Sequence, residues 1–139
     1  MTASMDHELL WSGSIAADRR WVETPVVVEA GNRYFFKATG RWWDASIECD
    51  ADGHDDPKVR WMKFLLRYRG QSANWFTLIG CVEKDAASMF GIGTGDRLPD
   101  GWAASKSGRL YCFANDAWFM YWNNRGAVQL EIFRLRQQP

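Results

Sequence analysis

Hydrophobic residues alternate with small or polar residues along much of this chain, which is the pattern of half-buried β-strands. The alternation is plain at residues 11–15 and again at residues 127–135. Apolar and aromatic runs between these two segments are bounded by glycine, asparagine, aspartate or proline, and they predict further strands. These runs are residues 21–29, 33–39, 75–82 and 109–114.

Proline and glycine residues refine this series of predicted strands. Pro25 interrupts residues 21–29 and predicts an edge strand or a bend, because proline cannot donate a hydrogen bond to a neighbouring strand. Gly31 and Asn32 form a turn signal after the same run. Gly80 lies inside another run and predicts a bend there.

Three segments depart from the strand pattern. Residues 48–58 are too acidic and too rich in turn-forming residues for a strand, so they predict a surface loop. Residues 59–69 leave helix and strand both open, because their apolar positions fit either period. Residues 91–95 are a glycine-rich connection that lacks the spacing of a phosphate-binding or dinucleotide-binding loop, and they predict a turn between strands.

Seven or eight short strands separated by turns predict an all-β fold, either an antiparallel β-sandwich or a jelly roll. A chain of 139 residues is long enough to bury a core. Since no internal repeat, low-complexity tract or linker interrupts it, the sequence predicts a single domain over residues 1–139.

Charge and hydropathy exclude several classes of function. Lys plus Arg and Asp plus Glu number 17 each, and the resulting formal net charge of zero argues against a nucleic-acid partner. The apolar runs are too short to span a membrane. The first ten residues lack the apolar stretch of a signal peptide, which predicts a cytoplasmic protein or one exported without a conventional signal peptide.

Tryptophan and cysteine also carry information. We expect most of the nine tryptophans in the core and two or three on the surface, where flat rings stack on sugars or fill a partner's pocket. Cys49, Cys81 and Cys112 match neither a zinc-ligand spacing nor a disulfide framework. Cys81 and Cys112 lie within strand-like runs, which predicts buried free thiols.

The acidic segment after Cys49 is the densest group of candidate ligands. Asp50, Asp52, His54, Asp55 and Asp56 fit a solvated acidic loop, and they lack the fixed continuation of a calcium-binding loop. His54 at the loop tip is a candidate for hydrogen bonding a polar ligand. A histidine beside carboxylates is also a minimal acid–base pair. An enzyme that uses His54 with Asp50, Asp52 or Asp55 therefore stays open as one of the possible functions.

Residues 115–126 carry a different kind of chemistry. Asp116, Asn123 and Asn124 supply one carboxylate and two amide oxygens between two predicted strands. Such hard oxygen donors suit Ca²⁺, although one carboxylate alone binds it weakly and further oxygens must converge from elsewhere. The same segment also fits a β-hairpin turn, because Asn and Gly tolerate positive φ.

The segment resembles the site loop of the PA-IL-type galactophilic lectins, a bacterial family. That loop reads Asn-Asp, four variable residues, Tyr, one residue, Asn-Asn, one residue, Gly. A Trp-x-Gly-x-Ile strand near the start of the chain also matches the family in pattern. The matching positions are Asn115, Asp116, Tyr121, Asn123, Asn124 and Gly126, with Trp11, Gly13 and Ile15 in the strand.

The resemblance implies a galactose-binding-like jelly-roll sandwich that binds galactose-type sugars through Ca²⁺ without catalysis. Asp116, Asn123 and Asn124 would bind the metal through side-chain oxygens, while Met120 and Asp44 would each contribute a backbone carbonyl. Two vicinal sugar hydroxyls would complete the coordination and hydrogen bond with Asp116 and Asn123. Family members commonly assemble as oligomers, because several shallow sites together gain avidity, so a homo-oligomer is possible here.

The chain departs from the family pattern around the expected sugar position. The family loop with a His and a Gln toward the sugar's primary hydroxyl is replaced by residues 50–58. There His54 is the nearest candidate for a sugar contact, and Trp43 is a further one. Residues 118–120, Trp-Phe-Met, replace smaller residues, and they either extend a stacking platform or crowd the site.

Two further features bear on calcium and on the alternatives. Arg41 and Arg125 add positive charge that opposes calcium unless their side chains point away. A β-sandwich without metal that uses exposed tryptophans as a protein-interaction module is the alternative function.

Overall fold

Two antiparallel β-sheets pack face to face in the computed structural model, which describes residues 6–70 and 73–136. The first sheet has six strands and the second has four, which confirms the predicted all-β sandwich. The strands are β1 His7–Ala16, β2 Val22–Val28, β3 Arg33–Thr39, β4 Trp42–Asp44, β5 Ile47–Cys49, β6 Leu78–Val82, β7 Phe90–Gly91, β8 Trp102–Ala103, β9 Gly108–Ala114 and β10 Asn124–Leu135.

The long strand β10 organises the first sheet by pairing with three neighbours. β1 pairs with it from Ala127 onward, and β3 pairs with it from Gln129 onward. β4 pairs with the first three residues of β10, in the same register as β3. Gly40 joins β3 to β4 with a φ of 94°, a left-handed conformation that glycine adopts at little cost. The start of β10 therefore lies beside the end of β4.

The second sheet runs in the order β2, β9, β6, β7. β2 is an edge strand, as Pro25 predicts, and its register against β9 shifts between Glu23 and Val27. Gly80 is inside β6 and faces the ring of Phe90, so the glycine serves close packing.

Large side chains from both sheets form one core between them. They come from alternate positions of the strands, as expected for strands with one face buried. Trp42, Phe76 and Leu110 are among the fully buried residues, and the ring of Trp42 meets that of Phe76 edge to face at 5.7 Å. A smaller apolar cluster of Ile79, Cys81 and Phe113 covers the outer face of the second sheet.

The structure differs from the sequence-based predictions in two segments and decides a third that the sequence left open. The loop predicted at residues 48–58 begins later, because its first residues belong to β5. The strand predicted at residues 75–82 begins at Leu78, since Phe76 has a φ of 65° that breaks the extended backbone. Within residues 59–69 the chain forms a 3₁₀ helix, Arg60–Leu65.

All three cysteines are buried and unbridged, as predicted for Cys81 and Cys112. Burial raises the pKa of the Cys49 thiol to about 12, with added repulsion from the charges of Asp50 and Asp44. None of the helices within residues 6–70 and 73–136 has the length and apolar content needed to cross a bilayer.

Candidate functional site

The segment between β9 and β10 is fixed to the rest of the fold by the Asn115 side chain. Its amide accepts a hydrogen bond from Tyr68 N at 3.0 Å and donates to Tyr68 O at 2.8 Å and Asn74 O at 3.2 Å. These bonds satisfy the buried amide, so Asn115 has a structural role. The first position of the motif thus orients the residues that follow.

Asp116, the residue after Asn115, is buried, with 1% of its surface exposed. Its Oδ1 accepts a hydrogen bond from Ala117 N at 2.7 Å, and its Oδ2 accepts one from Asn124 Nδ2 at 2.9 Å. Burial raises the pKa of Asp116 to about 7; the Asn124 hydrogen bond opposes this and the negative charge of Asp44 adds to it. The hydrogen bonds from Ala117 and Asn124 therefore do not fully offset the cost of burying the ionised Asp116 carboxylate.

The two asparagines at the start of β10 leave oxygens without protein partners. Asn124 Nδ2 donates to Ala17 O at 3.0 Å as well as to Asp116. Because both partners are acceptors, the orientation of the Asn124 amide is fixed and its Oδ1 faces away from them. Within residues 6–70 and 73–136, neither this oxygen nor the buried Oδ1 of Asn123 has a hydrogen-bond partner.

Asp44 reaches the same place from the neighbouring strand β4, on the same face of the sheet as Asn124. It ends β4 and lies opposite Asn124 in the antiparallel ladder. The next residue, Ala45, has a φ of 55° and donates its N–H to Asn123 O at 3.2 Å. The Asp44 side chain is 15% exposed, and its Oδ2 lies 3.0 Å from Nε2 of His54.

His54 is held in one orientation by bonds to both ring nitrogens. Its Nδ1 accepts a hydrogen bond from Asp56 N at 3.2 Å, so the proton lies on Nε2, which donates to Asp44. Its backbone N–H donates to Trp75 O at 2.8 Å. The His54 side chain is 10% exposed and hydrogen bonds with Asp44. A direct contact of His54 with sugar stays a prediction.

The other acidic residues of this segment do not gather around His54. Asp52 accepts hydrogen bonds from the N–H and hydroxyl of Thr94 at 2.8 and 3.1 Å. Asp55 forms ion pairs with Arg60 and Lys63 at 3.2 and 2.9 Å. An acid–base pair of His54 with either residue is therefore not assembled, and the carboxylate beside His54 is that of Asp44.

A pocket of about 260 Å³ opens beside Asp44 and Asp116, both of which line it. The rest of its wall is almost entirely apolar and comes from three separate segments of the chain. The principal apolar lining residues are Val59, Met62, Leu65, Trp75, Phe119 and Met120.

Trp118, Phe119 and Met120, the bulky residues that replace smaller ones in the family loop, do not all line the pocket. Phe119 is 58% exposed and lines the pocket together with Met120. Trp118 packs instead against Trp21, with ring centroids 6.4 Å apart, and lies under the guanidinium of Arg20. Two of the three residues therefore shape the pocket wall.

Trp43 and the two arginines lie away from the pocket wall. Successive side chains of a strand point to opposite faces, so Trp43 faces away from Asp44. The guanidinium of Arg125 lies 5.1 Å from the centre of the Trp43 ring. Arg41 is paired with Glu48 at 2.9 Å. The structure does not bring Trp43 together with the pocket, and its contact with sugar stays a prediction.

Arg67 packs against the segment between β9 and β10 and hydrogen bonds with it. No sequence pattern indicated this role. Its backbone N–H donates to Asp116 O at 3.2 Å, and its Nη1 donates to the Tyr121 hydroxyl at 2.7 Å. Its guanidinium lies 3.6 Å from the centre of the Phe113 ring and 4.7 Å from that of Trp118. Burial lowers the pKa of Arg67.

The donor set around Asp116 fits a hard divalent cation. Carboxylate and amide oxygens are the ligands that Ca²⁺ prefers. A cation here would offset the repulsion between Asp44 and Asp116 and would occupy the partnerless oxygens of Asn123 and Asn124. In the described part of the chain, no group of three or more His, Cys, Asp or Glu side chains is placed to hold a metal ion, so such a cation depends on the amide oxygens as well.

The fold is similar to that of a known lectin domain. A solved structure described as "EclA N-terminal domain; PllA-like lectin" superposes with a TM-score of 0.69 at 19% sequence identity. The similarity covers 91% of this chain and 98% of that one. No protein-family model and no curated protein matches the sequence. The chain therefore shares the β-sandwich fold of a PllA-like lectin domain.

Proposed function

We propose that this chain is a calcium-dependent carbohydrate-binding domain with no catalytic activity. The observation that carries the proposal is the pair of buried amide oxygens of Asn123 and Asn124, which have no hydrogen-bond partner among the described residues, together with the bond from the Asn124 amide to the Asp116 carboxylate. Leaving a buried acceptor unsatisfied costs about 1–3 kcal/mol. A cation that took both oxygens as ligands would remove this cost.

Four side-chain oxygen sources would hold the cation: Asp116, Asn123, Asn124 and the carboxylate of Asp44. The Asp44 carboxylate goes beyond the resemblance, which implies only its backbone carbonyl. His54 would hold that carboxylate toward the pocket through its 3.0 Å hydrogen bond. Backbone carbonyls, such as that of Met120, would add further ligands.

Calcium, when bound, would supply an electrostatic anchor for two vicinal hydroxyls of a sugar. Asp116 would then accept hydrogen bonds from these hydroxyls, and the Asn123 amide would donate to them or accept from them, so that the diol is held in one orientation. The shared fold of a domain described as a lectin supports a carbohydrate as the ligand. Galactose-type sugars are the first choice, because the motif is that of galactophilic lectins.

Calorimetry on the whole chain tests the proposal. Protein stripped with a chelator is titrated with CaCl₂ and then with methyl β-D-galactopyranoside, with MgCl₂ in place of calcium as a control. We expect heat from calcium, sugar binding only after calcium, and a higher melting temperature in calcium than in chelator. Absence of calcium binding by folded protein would refute the metal site.

A variant pair separates the site from general effects of charge. Asp116→Asn keeps the shape of the side chain and removes its charge, and we expect it to weaken calcium binding by about tenfold or more, which corresponds to about 1.4 kcal/mol. Asp100→Asn removes an exposed carboxylate that does not line the pocket and is expected to bind calcium like the parent. Equal affinities in the two variants would argue against Asp116 as a ligand.

The second candidate function is a protein-interaction module that needs no metal. Trp61 and Trp122 are 72% and 79% exposed, more than most tryptophans in a folded domain, and this observation favours it. A protein partner that bound Asp116→Asn as tightly as the parent, but not Trp122→Ser, would support this function in place of the first.

A further inference from the structure

Five tryptophan and phenylalanine side chains of the described residues are at least half exposed to solvent. They are Trp61, Phe64, Trp118, Phe119 and Trp122. Trp61 and Phe64 belong to the helix Arg60–Leu65 and share one of its faces, because residues three apart in a 3₁₀ helix lie above one another. The other three belong to the loop that follows Asp116.

Direct contacts hold these two segments side by side. The Arg67 backbone N–H donates to Asp116 O at 3.2 Å, and Arg67 Nη1 donates to the Tyr121 hydroxyl at 2.7 Å. Met62 and Phe119, one from each segment, line the same pocket. Residues 58–69 and 117–122 therefore form one end of the domain, the aromatic end. Exposed apolar patches of this kind mark sites of interaction.

The opposite end of the domain carries no comparable aromatic surface within the described residues. The remaining large apolar side chains that are exposed there are aliphatic, those of Leu9 and Val27. Leu9 pairs with Phe133 near the end of β10, whereas the candidate site lies at the start of that strand. Val27 pairs with Arg109 near the start of β9, and Asp116 follows the end of that strand.

Positive charge is concentrated in the same place. Residues 58–69 contain five cations and no carboxylate, although the chain as a whole has equal numbers of each sign. The cations are Lys58, Arg60, Lys63, Arg67 and Arg69. Asp55 forms ion pairs with two of them, but in the described part of the chain the exposed Lys58 and Arg69 form none. Arg69 Nη1 donates to Phe64 O at 3.2 Å, so a cation lies beside an exposed ring.

This composition indicates one kind of partner. Tryptophan concentrates at the boundary between a membrane and water, and Lys and Arg are attracted to anionic lipid headgroups. The core of a protein–protein interface is instead depleted in lysine. Aromatic rings interspersed with cations, without carboxylates, suit a segment that lies in the headgroup region of a bilayer.

We propose that the aromatic end docks on the surface of an anionic lipid bilayer. Trp61 and Phe64 enter the headgroup region, while Lys58 and Arg69 meet the lipid phosphates. Docking in this way requires neither calcium nor sugar, so the inference goes beyond the proposed function and does not depend on it.

Sedimentation with sugar-free vesicles in EDTA tests the inference. The whole chain is expected to partition at least about tenfold more strongly onto vesicles of phosphatidylcholine with phosphatidylglycerol than onto phosphatidylcholine alone. Partition should weaken as salt is raised, and tryptophan fluorescence should shift to the blue on binding. No sedimentation, or equal sedimentation with the two kinds of vesicle, would overturn the inference and leave calcium-dependent sugar binding untouched.

Variants of the exposed rings locate the contact. Trp61→Ser and Phe64→Ser are each expected to weaken partition by about tenfold, because each removes an apolar ring that leaves water on docking. Val27→Ser, an exposed apolar position at the opposite end, is the control and should partition like the parent. Parent-like partition in both ring variants, with melting temperatures near that of the parent, would overturn the assignment to the aromatic end.

A second pair of variants tests the charges. Lys58→Gln combined with Arg69→Gln is expected to weaken partition by about tenfold or more. Arg33→Gln combined with Arg136→Gln removes the same charge from the opposite end of the domain and is the matched control. Equal loss in the two double variants would mean that net charge attracts the protein to lipid, and it would overturn a specific role for Lys58 and Arg69.

Discussion

Asp44 and Asn124 face each other across the antiparallel ladder between β4 and β10. This pairing places a carboxylate from the first third of the chain against the motif near its end. Asp116 then bonds to the Asn124 amide at 2.9 Å, so the ladder and the loop position each other. Register between two strands thus decides which oxygens share the site.

The carboxylate of Asp44 is expected to contribute to calcium binding. Asp44→Asn keeps an oxygen that can accept the His54 hydrogen bond and removes one negative charge, so calcium affinity measured by calorimetry should fall about tenfold. Glu48→Gln, on the paired strand β5, is the matched control and should bind calcium like the parent. Unchanged affinity in Asp44→Asn would mean that Asp44 contributes only its backbone carbonyl.

Gly126 is expected to be intolerant of a side chain. Its φ is 84°, and an added Cβ would lie 2.8 Å from the Trp43 ring and 3.3 Å from Trp42 Cα. Gly126→Ala should therefore lower the free energy of unfolding by about 2–4 kcal/mol, from left-handed strain and overpacking together. Urea denaturation measures this change.

Gly31 offers a control for backbone strain alone. Its φ is 90°, but no atom lies within 4 Å of an added Cβ. Gly31→Ala should cost about 1–2 kcal/mol. If Gly126→Ala costs no more than Gly31→Ala, the contact with Trp43 adds nothing to the requirement for glycine.

Arg67 is expected to stabilise the segment that carries the candidate site. Arg67→Met would remove the hydrogen bonds to the Tyr121 hydroxyl and Arg20 O, both at 2.7 Å, and the contact with the Phe113 ring. The free energy of unfolding in urea should fall by about 2 kcal/mol. Arg69→Met, at an exposed position, is the control. If Arg67→Met proved as stable as the parent, the cost of burying the Arg67 guanidinium would equal the stabilisation from its contacts.

The cysteines are expected to resist thiol reagents in the folded protein. All three are buried, and the pKa of Cys49 is raised to about 12, so at pH 8 this thiol is protonated as well as inaccessible. Ellman's reagent should detect no rapid reaction at pH 8, or at pH 9, which is still well below that pKa. Unfolding in guanidinium should release all three thiols. Rapid labelling of one cysteine in native protein would contradict its burial.

Local sequence patterns were enough to predict most of the strands. Residues 33–39 and 127–135 alternate or cluster apolar side chains, and both segments lie in strands of the first sheet. The prediction was wrong at residues 48–49, which form part of β5. Acidic neighbours dominate the composition there, while pairing with β4 supplies the backbone hydrogen bonds that hold the strand.

The sequence by itself determined the all-β class and predicted the candidate oxygen ligands Asp116, Asn123 and Asn124, because both depend on spacing within short segments. Only the tertiary structure decided that Asp44 meets this segment and that His54 bonds to Asp44. It also decided that Val59, Met62 and Leu65 form part of the apolar wall of the pocket. These contacts join positions far apart in the chain. Their existence depends on strand register and on the packing of whole sheets, which no local pattern encodes.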